Sequence, residues 1–179
     1  MLLAALALAT LGCAARTAPS ASTQAHLRDA EAALAVKDYD AARAAYDRAV
    51  DTAPDATSAR LAVRERADAR LFLGDLDGAA GDLARLTELA PRDPAAWHDL
   101  GIVRANQGDR AGARDALYQA KTLAPDDARP RLALAALLWA SGDRAAADRE
   151  YQALLELDLP EPVRAKVVWA IATLAAPAP

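Results

Sequence analysis

Residues 94–127 read PAAWHDLGIVRANQGDRAGARDALYQAKTLAPDD. Two apolar-periodic runs of about fourteen residues flank Gly108-Asp109, and prolines stand at or near both ends. Glycine takes the left-handed conformation that ends one helix, and aspartate caps the next by accepting from its free N–H groups. Asp93 before Pro94 repeats the capping logic, with proline at a first helical position where its missing N–H costs nothing. Pro125 stops the second run, since proline cannot continue a helix and biases the preceding residue away from one. The stretch is therefore predicted to be a helix–turn–helix pair.

The pattern recurs every 34 positions, and a period in this range predicts stacked supersecondary units. One period on, Leu134, Ala135, Gly142, Ala147, Tyr151 and Leu154 fall in register, with Pro160 one place late. One period back, Ala67, Gly74, Ala79, Leu83, Leu86 and Pro91 do the same. A first unit supplies Ala30, Tyr39, Ala42, Tyr46, Ala49 and Pro54. Four units result, at 23–56, 60–93, 94–127 and 128–161, with turns at Lys37-Asp38, Gly74-Asp75, Gly108-Asp109 and Gly142-Asp143. Three extra residues between the first and second units are expected to lengthen the next helix by about one turn. Lys37 departs from glycine and is expected to carry strain.

After the fourth unit, residues 162–175 place apolar side chains at Val163, Val167, Val168, Ile171 and Leu174, with Arg164 and Lys166 expected outward. This segment is predicted to be a capping helix over the open end of the array, sealed by Trp169, followed by a loose tail at 176–179. Apolar residues make up 54% of the 179, yet aromatics only 4%, so the core must be built mainly from Ala, Leu and Val, as in close-packed helices. Alternating β-branched runs are missing, which leaves an all-α fold.

Net charge is −4 with no basic stripe, which argues against a nucleic-acid partner. His26 and His98 lack any metal-ligand spacing, so no metal is expected. The sequence has no nucleophile–histidine–carboxylate arrangement and no phosphate loop, so neither catalysis, a cofactor nor a small-molecule substrate is expected.

Residues 94–127 resemble a tetratricopeptide repeat. Trp97, Leu100, Gly101, Gly108, Ala113, Leu117, Ala120 and Pro125 fall at that family's fourth, seventh, eighth, fifteenth, twentieth, twenty-fourth, twenty-seventh and thirty-second places. The resemblance implies a right-handed solenoid of four helix pairs plus the capping helix. It further implies an inner groove lined by the first helix of each pair, which binds a partner protein or peptide. Carried onto this chain, the lining is Arg64, Asp68, Leu71 and Phe72, then His98, Ile102 and Asn106, then Arg129, Leu132 and Trp139. The first unit adds Gln24, Leu27, Glu31 and Leu34. Phe72 and Trp139 are the expected anchors, because aromatic groove residues often dominate binding energy. Trp97, Tyr46 and Tyr151 are expected in the core. Some family members clamp a peptide carboxylate with Lys, Asn and Arg. Asp68, Asp99 and Ala133 break that clamp here despite Arg64 and Arg129, leaving an acidic-and-apolar or amphipathic segment as the expected ligand.

At the amino end, residues 2–11 are Leu and Ala apart from Thr10. That run is too short to span a bilayer but suits a secretory signal. Gly12-Cys13 resembles the end of a bacterial lipoprotein signal, which implies a signal peptide at 1–12, a lipid on Cys13 and a flexible tether at 13–22. The implied location is the bacterial cell envelope, anchored to the outer membrane and facing the periplasm. Alternatives are cleavage after Ala14 or Ala15, giving a soluble periplasmic adaptor, and an uncleaved segment. The functional expectation is an interaction scaffold or assembly factor, with a structural module that self-associates through a solenoid end as the alternative.

Overall fold

The computed structural model describes residues 18–176. Cys13, the expected signal peptide and the first half of the expected tether, 13–17, lie outside the described residues. The described residues form helices α1 (Ala21–Ala35), α2 (Tyr39–Asp51), α3 (Ala56–Phe72), α4 (Leu76–Leu89), α5 (Pro94–Asn106), α6 (Arg110–Leu123), α7 (Ala128–Ala140), α8 (Arg144–Leu154) and α9 (Glu161–Ala175). Helix α1 starts inside the stretch expected to be tether, because Ser20 accepts from the Thr23 N–H and caps it. No strand occurs among the described residues.

Helices α1, α3, α5 and α7 each pair with the even-numbered helix that follows, successive pairs stack into a solenoid, and α9 packs on α8. The turns inside the pairs follow one chemistry. The Gly74 N–H donates to the Leu71 carbonyl and the Asp75 N–H to the Arg70 carbonyl, closing α3 with Gly74 at φ 77°. Asp75 then accepts from the Gly78 N–H at 2.9 Å to start α4. Asp38, Asp109 and Asp143 cap α2, α6 and α8 in the same way. Lys37 stands at φ 61°, and its turn closes with the same pair of bonds to Leu34 and Ala33. A side chain is thus held in the left-handed region at a steric cost. Helix α3 has 17 residues where α5 and α7 have 13, so the extra residues form one more turn.

Small residues set the spacing within pairs. A Cβ on Gly101 of α5 would lie 2.6 Å from Leu117 Cγ of α6, so only a hydrogen fits there. Alanines with no exposure, among them Ala42, Ala67, Ala79, Ala113 and Ala147, do the same along the array. Tyr46 and Tyr151 are buried, while Trp97 packs against the core from a half-buried position and donates from Nε1 to the Pro91 carbonyl at 3.0 Å.

Polar groups reinforce two pair-to-pair junctions. Asp82 of α4, its side chain only 4% exposed, accepts two bonds from Arg66 at 3.0 and 2.6 Å and one from Arg70 at 2.6 Å. Arg66 also donates to Asp47 of α2 at 2.8 Å. Burial opposes the Arg66 charge, but these two carboxylates outweigh it and raise its pKa. Between the last two pairs, Glu150 of α8 accepts from Lys121 of α6 at 2.7 Å and from Arg131 of α7 at 3.0 Å.

Helix α9 buries Val167, Ala170 and Leu174 against the last pair. Arg144 donates to the carbonyls of Thr173, Leu174 and Ala176, satisfying the free end of α9. Two expectations for this helix are corrected. Arg164 does not point free but donates to the Leu155 and Leu157 carbonyls, fastening the start of α9 to the preceding turn. Trp169 does not seal the end: it is 64% exposed, and Val168 beside it is 51% exposed.

Candidate functional site: the face of the odd-numbered helices

Contacts across α1, α3, α5, α7 and α9 define one continuous face. Arg64 of α3 pairs with Asp99 of α5. Trp139 of α7 meets Trp169 of α9 with ring centroids 6.0 Å apart. The register of α9 follows from its burial: Val167 and Ala170 hold the places of Leu100 and Val103 in α5. Trp169 therefore stands level with Ile102, on the inner face, and Val168 stands level with Gly101, where no further helix follows.

The face changes character along its length. At the place of Ile102 the successive helices present Glu31, Asp68, Ile102, Ala136 and Trp169. The first two are acidic and the last three apolar. At the acidic end, the phenol of the buried Tyr46 is pushed up by burial and then by the charges of Glu65, Glu31 and Asp68. Burial, then Asp68 and Glu31, push up the Glu65 carboxyl. Burial also raises Asp68; Arg64 opposes this and the Asp99 charge adds to it. Among the described residues no cation lies within 4.0 Å of Glu31, Glu65 or Asp68.

The basic side chains expected to line the groove are already engaged. Arg64 lies against Asp99 and 3.6 Å from Asp93. Burial disfavours the charge on Asp99, but hydrogen bonds from His98 and Arg64 override it and hold its carboxyl below the usual range. Arg129 folds back on Asp127 at 2.7 Å. His98 is occupied with Asp99 at 3.0 Å.

At the other end, Leu132, Ala136, Trp139, Tyr151, Val167 and Trp169 line an open cleft of about 300 Å³ with Lys166 at its edge. Trp139 is part-buried and stands edge-on to Tyr151, centroids 6.1 Å apart and planes at 88°. Its ring is thus fixed by packing and presents its remaining surface to the cleft. Phe72, at the last turn of α3, is 73% exposed, and Ile102 is 37% exposed between the two ends. Asn106 is exposed at the end of α5, while Leu27 is buried and belongs to the core. The structure thus brings Leu132 and Trp139 together in one cleft and leaves Phe72 apart from it. Sequence reasoning missed Trp169, although counting α9 from Glu161 places it two residues beyond the buried Val167, as Ile102 is beyond Leu100.

The described residues contain no group of three or more His, Cys, Asp or Glu side chains able to hold a metal ion. None of their helices is long and apolar enough to cross a membrane.

Stacked helix pairs closed by Gly-Asp turns, with a continuous face on the first helices, make this chain a helical-repeat solenoid. Residues 64–128 match the family model described as tetratricopeptide repeat, and over that stretch the chain is similar to it. Nothing among the curated proteins matches the sequence. Among solved structures the chain is similar to a crystal structure of MamA, with 18% identity and TM-score 0.72, over 86% of this chain and 80% of that one. It is also similar to YrrB, described as a TPR protein with an unusual peptide-binding site, at 18% identity and TM-score 0.66, over 87% and 82% of the two chains. A third is the Yersinia enterocolitica type III secretion chaperone SycD in complex with a peptide of the translocator YopD. It shares 18% identity and TM-score 0.59, over 63% of this chain and 88% of that one. At such identity the likeness is one of fold.

Proposed function

We propose that this chain is a protein-interaction scaffold or assembly factor that binds a segment of a partner protein along the face of its odd-numbered helices. The observation that carries this is the exposure of large apolar side chains on that face, Phe72, Ile102 and Trp169, the last of them in a cleft built on the packed ring of Trp139. Rigid aromatic surface held open to solvent costs solubility and supplies binding energy when covered. YrrB and SycD carry peptide-binding surfaces on the same fold, which supports the reading. The role is binding and not catalysis.

The scaffold is anchored in the bacterial envelope through a lipid on Cys13 and faces the periplasm from the outer membrane. Gly12-Cys13, after an apolar run of signal length, is the support for this. Fatty-acid labelling of cells expressing the wild type or Cys13→Ser tests the anchor: label is expected on the wild type alone, and equal labelling of both contradicts it. Affinity capture with Trp139→Ala and Phe72→Ala tests the binding face. Partners captured by the wild type are expected to be lost, and an unchanged set contradicts the assignment.

A second reading, self-association through the α9 end, is favoured by Val168 alone, exposed where earlier units pack a second helix. Light scattering that shows a monomer at every concentration would remove it.

A further inference from the structure

The partner's chemistry follows from the polarity of the binding face, on the reading that the face binds a segment of another protein. Two features at opposite ends of the same face are each unmatched. The first is the apolar cleft between α7 and α9, where Trp169 is 64% exposed beside Trp139, with room for one large side chain. The second is the group Glu31, Glu65 and Asp68, which has no ion-pair partner among the described residues, whereas Arg64 and Arg129 have theirs. The face therefore offers apolar surface at one end and, at the other, negative charge that no ion pair among the described residues takes up.

We infer that the face takes a basic-and-apolar segment, with an aromatic or large aliphatic side chain in the Trp139–Trp169 cleft and lysine or arginine side chains against Glu31, Glu65 and Asp68. Of the acidic-and-apolar or amphipathic segments that the sequence left open, the acidic one is disfavoured, because Arg64 and Arg129 are already paired with Asp99, Asp93 and Asp127. Lys166 at the edge of the cleft repels a basic residue placed there and so fixes which end of the segment lies where. Two to four helix spacings separate the sites, on the order of 16–40 Å at about 8–10 Å each. An extended chain covers that in roughly five to twelve residues. Complementary charge of this kind sets orientation and on-rate, and the aromatic anchor supplies most of the affinity.

The whole 179-residue chain, immobilised, is used to select from a phage library of random peptides about as long as that span requires. Selected peptides are then measured by fluorescence anisotropy against wild type, Trp169→Ala and the triple variant Glu31→Gln, Glu65→Gln, Asp68→Asn. The expected result is enrichment of Lys or Arg roughly five to twelve positions from Trp, Phe or Leu, as the span requires. Affinity is expected to fall at least about tenfold in the triple variant, with a steeper fall in Trp169→Ala. Circular dichroism spectra matching the wild type establish that both variants are folded. Enrichment of acidic peptides, or basic peptides indifferent to the triple variant, overturns the inference while leaving the binding face in place, provided Trp169→Ala still weakens them. Peptides indifferent to Trp169→Ala, or no selection at all, overturn both.

Discussion

Trp139 and Trp169, thirty residues apart in the chain, meet with ring centroids 6.0 Å apart and planes tilted by 34°, one held by the core and the other open to solvent. The division of labour follows from their other contacts. Trp139 is braced edge-on by the buried Tyr151, whereas nothing covers the outer face of Trp169. Stability and binding should therefore separate between the two. Trp139→Ala is expected to cost about 2 kcal/mol in a urea melt, the lost aromatic pairing plus part of the ring's burial. Trp169→Ala is expected to cost less than about 1 kcal/mol while weakening the captured partner at least about tenfold.

The spacing within the pairs makes two glycine-related substitutions run in opposite directions. Gly101→Ala puts a methyl 2.6 Å from Leu117 Cγ and 3.2 Å from the Ala113 carbonyl oxygen. The helices must separate or Leu117 must leave its rotamer, at roughly 1–3 kcal/mol. Lys37→Gly relieves a side chain held at φ 61° in an exposed turn and is expected to gain about 1 kcal/mol. Chemical denaturation of both variants checks the pair of signs.

Asp82 holds two arginines in a nearly closed interior, so its removal leaves charge behind without a partner. Asp82→Ala is expected to destabilise by roughly 3–5 kcal/mol. Asp82→Asn, which keeps the shape and an acceptor, is expected to cost less. Double variants that also replace Arg66 should recover part of the loss, because the uncompensated charge goes with it.

The acidic end of the face should reveal itself in the pH dependence of stability. Glu65 and Asp68 have folded-state pKa values raised above 4.5 and 3.8. Their contribution is full below those ordinary values and is lost as pH rises through the raised ones. Asp99, Asp55 and Asp127 are lowered, so their contribution is present above 3.8 and is lost as pH falls through the lowered values. Glu65→Gln with Asp68→Asn is thus expected to stabilise near neutral pH by roughly 0.5 kcal/mol, the size of a like-charge pair on a helix. Below the carboxylate range the gain should vanish. Thermal melts at the two pH values measure it.

The repeat was legible because its punctuation is local. Gly-Asp turns, Asp-Pro starts and small residues at fixed places each report on their own few positions, and α1 to α8 follow from them. Lys37 shows the strength of that signal, since its turn forms in the same geometry without the glycine. The site was legible only in part. Trp169 was misplaced because α9 starts 33 residues after α7, one place earlier than the 34-residue period sets it, which turns an expected seal into groove surface. The neutralisation of Arg64 depends on Asp99, 35 residues away on the next first helix, a pairing that no single unit displays. Asp82 reads in sequence as an ordinary surface acid and is buried only because Arg66 and Arg70 converge on it.

The central claim is that partners bind on the face of the odd-numbered helices. A photocrosslinking benzophenone side chain in place of Ile102, on that face, and another in place of Gln119, exposed on α6, test it most directly in intact cells. A discrete crosslinked partner is expected from position 102, absent from position 119 and diminished by Trp169→Ala. Equal capture from both positions, or capture from position 119 alone, would contradict it.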